Sequence, residues 1–248
     1  MSESRPSLLA NLAALLAGAG VLLVMAGPLL ANLAGLAPMT AFNLFLLGSL
    51  FGLLGLVLGG IGLWRTPPGV AGRERAGFAV GAGGLVVLAL LSGSLPGRGA
   101  PPINDITTDP SDPPAFEAAT QYTANRGRDM SYPEEFAEIQ REAYPDLAPI
   151  RLAIPPADAF EFVRATVEQL GWEAVLSDVG RGRLEARATS RLFRFVDDVV
   201  IRIQPADGGS VVDVRSKSRD GHSDLGANAM RIRMFADALG VNVDAGRR

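Results

Sequence analysis

Residues 196–218 read VDDVVIRIQPADGGSVVDVRSKS, and this stretch decides the fold of the second half of the chain. Two runs of alternating apolar side chains flank a turn-forming segment, which is typical of a β-hairpin. A four-residue loop, Ala206–Gly209, aligns two matching faces across the pair, Val199, Ile201 and Ile203 with Val212, Val214 and Ser216. The same register places two pairs of opposite charge across the hairpin, Arg202 with Asp213 and Asp198 with Lys217.

The segments around this hairpin predict an α+β soluble domain with an antiparallel sheet and two main helices. The order is strand, helix, four antiparallel strands and helix, with an additional short helix ahead of them. The predicted strands cover 150–154, 172–178, about 184–188 and the hairpin, and the predicted helices cover Pro133–Glu142, Pro156–Leu170 and about Ser223–Leu239. Proline opens the second helix and glycine follows the last two, as helix-end preferences require.

The segment ahead of this domain reads GRGAPPINDITTDPSDPP over residues 97–114. Its proline and aspartate content favours a flexible or polyproline-like linker. The spaced apolar residues Ile103, Ile106 and Phe116 favour the alternative of an extended arm lying on the domain. The nearby aspartates lack the spacing and the glycine of a calcium-binding loop, so we predict no calcium site there.

The first hundred residues have a different composition. They carry only seven of the 49 charged side chains of the 248-residue chain, whose mean hydropathy is +0.22. Three uncharged apolar stretches reach bilayer-spanning length, and they run over about 8–30, 41–63 and 77–95. Three such stretches in succession favour membrane spans over buried core helices. The first stretch is longer than a signal-peptide core, which favours a retained span over a cleaved signal.

Basic residues flanking the spans predict the orientation. Arg5 precedes the first span, Arg65, Arg73 and Arg75 lie between the second and third, and only Arg98 argues for the opposite orientation. We therefore expect a multi-pass membrane protein with a cytoplasmic N-terminus and a periplasmic or otherwise extracytoplasmic C-terminal domain.

Small residues recur at helix-face spacing within the spans: Gly48, Gly52, Gly55, Gly59, Gly77, Gly81 and Gly84. Such spacing lets helix backbones approach closely in lipid. We favour packing among the three spans of one chain, with a homo-oligomer as the alternative. The spans contain no charged or histidine side chain that would indicate a proton relay or ion pathway, so a transporter is not favoured.

The densest polar segment is RSKSRDGHSDLGAN, residues 215–228. Alternation places Arg215, Lys217 and Arg219 on one side of an extended strand. The chain then opens a helix with Ser223 or Asp224 as N-cap. A solvated charged face paired with Asp198 and Glu185 is the favoured interpretation, because such surface pairs are common. The alternative is an anion-binding site, formed by a basic strand that leads into a helix N-terminus.

Asn228 lies at the margin of the apolar stripe of the last helix, where a polar amide needs partners. It either fastens the preceding loop or points into a pocket, and it shares a helix face with Asp224 and Arg231. The candidate ligand-binding residues are therefore Arg215, Lys217, Arg219, Asp224, Asn228, Arg231 and Asp198.

Composition excludes several classes of chemistry. The chain has no cysteine and one histidine, which excludes disulfides, thiolate metal sites and a cysteine nucleophile. Asp197 and Asp198 point to opposite faces of a strand and cannot act jointly as acid and base. His222 and Ser223 lack a third triad member. We predict no catalytic residue, metal or cofactor, and we interpret the three tyrosines as packing anchors in preference to a ligand cage.

Four stretches of the second half resemble the bacterial and plastid family catalogued as domain of unknown function 1499. They are NDITTDPSDPPAF (104–116), AYPDLAPI (143–150), FRFVDDVVIRI (193–203) and VDVRSKSRDGHSDLGANAMRIRMF (212–235). The resemblance implies that the aspartate-rich segment belongs to the folded domain, and that the domain is extracytoplasmic and often follows membrane spans. It implies no activity.

With this resemblance, we predict a multi-pass protein of the bacterial inner membrane. It has a three-span membrane module over residues 1–97 and an extracytoplasmic α+β domain over 98–248, whose N-terminal arm covers 98–148. The leading functional hypothesis is a non-catalytic envelope module that binds a small anionic or lipidic ligand or a partner protein. The alternatives are an enzyme acting on envelope lipid or glycan and a structural membrane assembly protein. The expected partners are the lipid bilayer, such a ligand and a second copy of the chain, with no nucleic acid.

Overall fold

The computed structural model describes residues 8–94 and 99–240. Arg5, Arg98 and the end of the third predicted span lie outside the described residues. The described chain divides into two compact units. One holds the N-terminal helices together with residues 191–194, and the other holds the rest of the C-terminal half.

Three long helices form the N-terminal unit: α1 (Leu8–Leu33), α2 (Pro38–Arg65) and α3 (Arg73–Ser94). All three are long and apolar enough to cross a membrane, so they are candidate spans at the three predicted places. Their buried positions are mostly alanine and glycine, whereas the large leucine and valine side chains point outward. This inversion of the usual core pattern is typical of helices that pack together in lipid.

Glycines of α2 lie where the helices approach most closely. A Cβ atom added at Gly48 would lie 2.7 Å from the backbone nitrogen of Val24, and one added at Gly55 would lie 2.7 Å from that of Ala17. No side chain fits at such distances, so these glycines pack the spans of one chain against each other. A Cβ at Gly77, Gly81 or Gly84 of α3 would meet no described heavy atom within 4 Å. The oligomer alternative therefore stays a prediction for α3.

The C-terminal unit contains a six-stranded antiparallel sheet and three helices. The strands are β1 (Asp105–Thr107), β2 (Ile150–Leu152), β3 (Glu173–Asp178), β4 (Arg183–Thr189), β5 (Val196–Ala206) and β6 (Gly209–Ser218). The helices are α4 (Glu134–Ala143), α5 (Pro156–Gln169) and α6 (Ala227–Ala238). The strand order is β1-β6-β5-β4-β3, and β2 pairs with the same edge of β6 as β1 does. The predicted α+β class and order of elements are confirmed, with β1 as an additional strand.

The β5–β6 hairpin has the predicted register. Arg202 pairs with Asp213, and Asp198 lies opposite Lys217. The loop is shorter than predicted, because pairing continues to Ala206 and Gly209 and leaves a two-residue turn. Gly208, in this turn, has a φ of 81°, a conformation that glycine adopts without a Cβ clash.

One face of the sheet, here called the helix face, carries the apolar core of the domain. Val199, Ile201 and Ile203 of β5 alternate inward there with Val212 and Val214 of β6. Helices α5 and α6 cover this face with a set of almost fully buried side chains, Phe160, Val163, Val167, Ile232 and Phe235. Period-two alternation therefore sends the charged side chains of the same strands to the opposite face.

That opposite face is covered by residues 109–130, here called the covering segment, so we name it the cover face. The segment continues from β1, whose Ile106 is fully buried, and includes two short 3-10 turns, Ala119–Gln121 and Thr123–Asn125. Phe116 and Ala119 pack on Val200 of β5. The linker interpretation of residues 97–114 is therefore wrong for the described part of that stretch, because the apolar residues anchor it as an arm.

Helix α6 begins four residues later than predicted, at Ala227. Leu225 and Gly226 have φ values of 53° and 81°, so neither continues a right-handed helix. The carboxylate of Asp224 accepts the backbone N–H groups of Gly226 and Asn228 at 2.8 Å each. Asp224 thus still satisfies free N–H groups at this helix end, but from a position just outside the helix.

Candidate ligand-binding site

The seven residues predicted to bind a ligand are divided between the two faces of the sheet. Arg215 and Ser216 are neighbours on β6, so their side chains leave opposite faces of the strand. Arg215, Lys217, Arg219 and Asp198 lie on the cover face. The remaining three, Asp224, Asn228 and Arg231, lie on the side of α6. The structure therefore forms two clusters from the predicted set.

Arg215 is the centre of the cover-face cluster. Its side chain is only 2% exposed, and its guanidinium donates two hydrogen bonds to the carboxylate of Asp105, at 2.9 and 2.7 Å. It also donates to the carbonyls of Pro114 and Met130 in the covering segment. The rings of Phe116 and Tyr132 lie within 6 Å of its guanidinium carbon, at cation–π distance. Every face of this cation is occupied by the protein.

Lys217 shares the same acidic partner. Its ammonium donates to Asp105 Oδ2 at 2.8 Å, so one buried carboxylate faces two cations. Asp105 lies directly opposite Lys217 in the β1–β6 pairing. Lys217 also lies opposite Asp198, as the register predicts, but Asp198 forms its hydrogen bonds with other side chains. Strand pairing thus determines which side chains are neighbours. Which of these neighbours form ion pairs then depends on their charges and on the length of their side chains.

Asp198 and Arg219 form the outer part of the cover-face cluster. The guanidinium of Arg219 donates to both carboxylate oxygens of Asp198, at 2.9 and 2.6 Å. Buried Asn125 of the covering segment donates to the same carboxylate at 2.8 Å. Hydrogen bonding to Asp198 raises the pKa of Arg219 above its usual value. The ring of Tyr122 lies against the guanidinium groups of Arg219 and Arg187, about 5 Å from each.

On the side of α6, fully buried Asn228 forms hydrogen bonds through both ends of its amide. Its Nδ2 donates to the Asn104 carbonyl and to Ser218 Oγ, and its Oδ1 accepts from Ser216 Oγ and from Arg231. Arg231 in turn pairs with Asp197. The structure therefore supports the first alternative for Asn228, which fastens the chain before β1 and the end of β6 to the helix.

The two clusters meet at the end of β6. The Ser218 carbonyl accepts a hydrogen bond from Arg128 of the covering segment at 2.7 Å, while the Ser218 hydroxyl accepts from Asn228 on the other side. Arg128 also donates to Asn125 Oδ1 at 2.7 Å. A chain of hydrogen bonds thus runs from Arg128 through Asn125 to Asp198 and Arg219.

Arg128 lines a polar surface cavity of about 460 Å³, here called the cup, formed by residues 120–122 and 125–130. A turn over Asn125–Arg128 shapes one wall, closed by a hydrogen bond from the Arg128 N–H to the Asn125 carbonyl. Gly127 has a φ of 77° and follows an extended Arg126, as a type II turn requires. The cup lies beside the predicted cluster but uses none of its seven residues.

The residues considered for catalysis do not share one face of the sheet. Asp197 and Asp198 bind arginines on opposite sides of the sheet, as their adjacency predicts. His222 is exposed in the loop before α6, and Asp224 caps that helix. Burial raises the pKa of Asp224 and opposes the effect of its two backbone hydrogen bonds. All three tyrosines pack against arginine side chains, which supports the anchor interpretation.

Sequence reasoning missed the partners that β1 and the covering segment supply. Asp105 is 110 residues away from Arg215, and Asn125 and Arg128 lie in a segment without a strong periodic pattern. A usable signal was present in β6 itself. Because Val212 and Val214 face the helices, Arg215 and Lys217 must face the other way and need a separate acidic cover.

A comparison with protein families matches residues 105–239, more than half of the chain, to the family described as a protein of unknown function, DUF1499. No curated protein matches the chain. The matched range begins at Asp105, the buried partner of Arg215 and Lys217, and ends with α6, so it takes in β1, the covering segment and the whole sheet. The chain is therefore a DUF1499 family member whose matched domain follows three candidate membrane-spanning helices.

Proposed function

We propose that this protein is a membrane-anchored, non-catalytic module of the bacterial envelope that binds a small anionic or lipidic ligand, or a partner protein carrying such a group. The observation that carries the proposal is the gathering of arginines at the end of β6. Arg128, Arg219 and Arg231 all donate hydrogen bonds to Ser216–Ser218 or to the aspartates beside them. Arg219 and Arg231 are paired with Asp198 and Asp197, whereas Arg128 forms no ion pair among the described residues. The group therefore keeps a net positive charge, which attracts an anion.

The arginines are held in place before any ligand arrives. Asp198 holds Arg219 through two hydrogen bonds, and Asp197 and Asn228 hold Arg231. Each of these two side chains keeps 12% of its surface exposed, so each still reaches solvent. Preorganised donors bind an anion without paying the cost of ordering long side chains. The aspartates, in turn, are engaged by guanidinium groups and are poor candidates for proton transfer, which argues against the enzyme alternative.

The proposed orientation places this domain outside the cytoplasm. Arg65 is the last residue of α2, and Arg73 and Arg75 lie in the first turn of α3, so the three flank the connection between these helices. Basic residues are enriched at the cytoplasmic ends of spans. An alkaline phosphatase fused after residue 248 is active only outside the cytoplasm. An active fusion is the expected result, and an inactive fusion at normal expression would contradict the orientation.

Ligand binding is tested with the full chain in nanodiscs. We expect the thermal transition of the C-terminal domain to rise when phosphatidylglycerol is added to phosphatidylcholine nanodiscs, or when inorganic phosphate is added to phosphatidylcholine nanodiscs at constant ionic strength. The double variant Arg219→Lys/Arg231→Lys keeps the charge but loses the bidentate geometry and should respond several-fold more weakly. Arg164→Lys, in an exposed pair of α5, is the matched control. No response to either probe in the wild type would refute the proposal.

A second candidate function, assembly of the membrane module into a homo-oligomer, is favoured by one observation. Four glycines of α2 contact the other helices of the same chain: Gly48, Gly52, Gly55 and Gly59. Gly77, Gly81 and Gly84 of α3, in contrast, have open space around them among the described residues. Cysteine substituted at Gly81 should form a disulfide-linked dimer in membranes, since the chain has no other cysteine. A monomer under oxidising conditions would count against assembly through this face.

A further inference from the structure

The cup beside the predicted cluster contains two arginines without an acidic partner. The side chains of nine other arginines in the C-terminal unit form ion pairs with carboxylates: Arg164, Arg181, Arg183, Arg187, Arg202, Arg215, Arg219, Arg231 and Arg233. Within the described residues, Arg126 and Arg128 have no carboxylate within 4 Å, and both line the cup. Their positive charge is therefore not neutralised locally by an ion pair.

The two arginines differ in how they are held. Arg128 is half-buried and is fixed by two neutral oxygens, Asn125 Oδ1 and the Ser218 carbonyl, at 2.7 Å each. Arg126 is exposed, and no hydrogen bond to its side chain is present among the residues that the structure describes. One guanidinium is thus preorganised at the wall, and the other is free to close over a bound group.

The remaining lining also favours an anion. Because residue 127 is glycine, no side chain stands between Arg126 and Arg128 in the chain. The ring of Tyr122 forms another part of the wall. The single acidic residue of the lining, Asp129, accepts a backbone hydrogen bond from Ser131 at 2.8 Å, so this carboxylate is partly engaged by the chain. The lining carries two positive charges and one negative charge, which leaves a net positive cavity.

We propose that the cup binds a phosphate-bearing group through Arg126 and Arg128. Guanidinium groups match phosphate oxygens with paired hydrogen bonds, and these bonds are charge-assisted. A cavity of about 460 Å³ has room for a phosphate with an attached polar group, because small-molecule sites fall within a few hundred to about 1,000 Å³. The same chemistry is offered by a phospholipid headgroup and by a soluble phosphate ester.

This inference rests on the proposed function, and it places the phosphate-bearing group on Arg126 and Arg128, beside the seven predicted residues. The Arg128–Asn125–Asp198–Arg219 chain of hydrogen bonds links the two places. Phosphate in the cup therefore shares the electrostatic field of the predicted cluster without requiring any of its buried ion pairs to open.

The test uses pyrophosphate as the probe and the full chain in phosphatidylcholine nanodiscs, followed by isothermal titration calorimetry at constant ionic strength. We expect Arg126→Gln to weaken pyrophosphate binding by about threefold or more, and Arg126→Gln/Arg128→Gln by at least about tenfold. Arg151→Gln, an exposed arginine of β2 far from the cup in sequence, is the matched control and should bind as the wild type does. Because Arg126 has no described side-chain hydrogen bond, its single variant should fold normally even if the double variant is destabilised.

Nanodiscs containing phosphatidylglycerol distinguish the two sources of phosphate. If the headgroup occupies the cup, pyrophosphate should bind more weakly to the wild type in these discs, and the difference should vanish in Arg126→Gln. An unchanged affinity in these discs indicates a soluble phosphate ester. Pyrophosphate binding that survives in both arginine variants but weakens in Arg219→Lys/Arg231→Lys would refute the cup and leave the proposed function standing. Absence of any binding to the wild type would refute the cup, and a lack of response to phosphatidylglycerol as well would refute both proposals.

Discussion

Both faces of the sheet are buried, one by apolar packing and the other by ion pairs and hydrogen bonds. On the helix face, valine and isoleucine of β5 and β6 pack against α5 and α6 through non-directional contacts. On the cover face, the intervening residues of the same strands are Asp198, Arg202, Asp213, Arg215 and Lys217, and they too are mostly buried. The helix face needs the right volume, whereas the cover face needs each charge matched by a partner at a defined place.

This difference explains why the covering segment is part of the domain. A sheet with buried charges on one face must be covered by groups that replace water as hydrogen-bond partners. Asp112 pairs with Arg202, the backbone N–H groups of Glu117 and Ala119 donate to Glu185, and the Pro114 and Met130 carbonyls accept from Arg215. The covering segment is thus specified by polar pairing more than by apolar volume.

The largest expected effect is on the cover face. Arg215→Met should destabilise the domain by about 3–5 kcal/mol, because it leaves the Asp105 carboxylate buried with only Lys217 as a cationic partner. Urea unfolding in detergent, followed by the fluorescence of Trp172 in a Trp64→Phe background, measures the free energy of unfolding. The free energy of unfolding of Arg215→Lys should lie between those of the wild type and Arg215→Met, since lysine keeps the charge but loses the paired hydrogen bonds. A loss below 1 kcal/mol for Arg215→Met would contradict the proposed importance of charge matching.

Asn228 is a buried polar residue on α6, the helix that covers the apolar face of the sheet, so its substitution tests whether polar pairing also matters on this side. Asn228→Ala removes hydrogen bonds to Ser216, Ser218, Arg231 and Asn104 and should cost about 1–3 kcal/mol in the same unfolding measurement. Met230→Ala, on the same helix and 42% exposed, is the control and should change stability little. Equal stability of Asn228→Ala and the control would show that this amide does not fasten β6 to α6.

These cases show what the sequence could and could not predict. The hairpin register was predictable because two independent features of β5 and β6 indicate the same alignment. One is the matching of apolar faces, and the other is the pairing of opposite charges across the strands. The start of α6 was misplaced because backbone conformations at Leu225 and Gly226 are not visible in a hydrophobic pattern. The identity of Asp105 as the partner of Arg215 was out of reach, since ion pairing across 110 residues depends on the tertiary fold.

The candidate site was predicted in composition but not in arrangement. The seven residues were selected from a nearly continuous segment, and a strand sends successive side chains of such a segment to two faces. The cup was missed for a different reason. Its two arginines lie in an irregular segment, and the features that set them apart, a shared cavity and no ion pair with a described carboxylate, depend on the tertiary structure.

The helix face should respond in proportion to the volume removed. Ile201→Val deletes one methylene from a fully buried position and should cost about 0.5–1.5 kcal/mol in urea unfolding. Val179→Ala, at a position 58% exposed, is the control for a small apolar deletion outside the core and should change stability little. A cost of 3 kcal/mol or more for Ile201→Val would mean that this face is as intolerant as the cover face, and the contrast between the two would fail.

The smallest expected effect concerns Asp213, whose Oδ2 accepts from Arg202 while its Oδ1 is buried without a hydrogen-bond partner among the described residues. Burial raises the pKa of Asp213 above its ordinary value of 3.8, against the opposing effect of Arg202. Between the unfolded and the folded pKa the folded protein therefore binds more protons than the unfolded chain, and the stability contributed by this carboxyl falls as the pH rises.

Asp213→Asn removes this titration, and Arg202 keeps its hydrogen bonds to Asp112. The difference in Tm between wild type and variant should shift in favour of the variant as the pH rises from below 3.8, and it should level off above the folded pKa. Asp224, whose pKa is also raised by burial, is present in both proteins and cancels in this difference. A difference in Tm that does not change between pH 3.5 and pH 7 would show that the cover face solvates the Asp213 carboxylate as well as water does. Any free-energy cost of burying charge on this face would then come from Asp105 and Asp198.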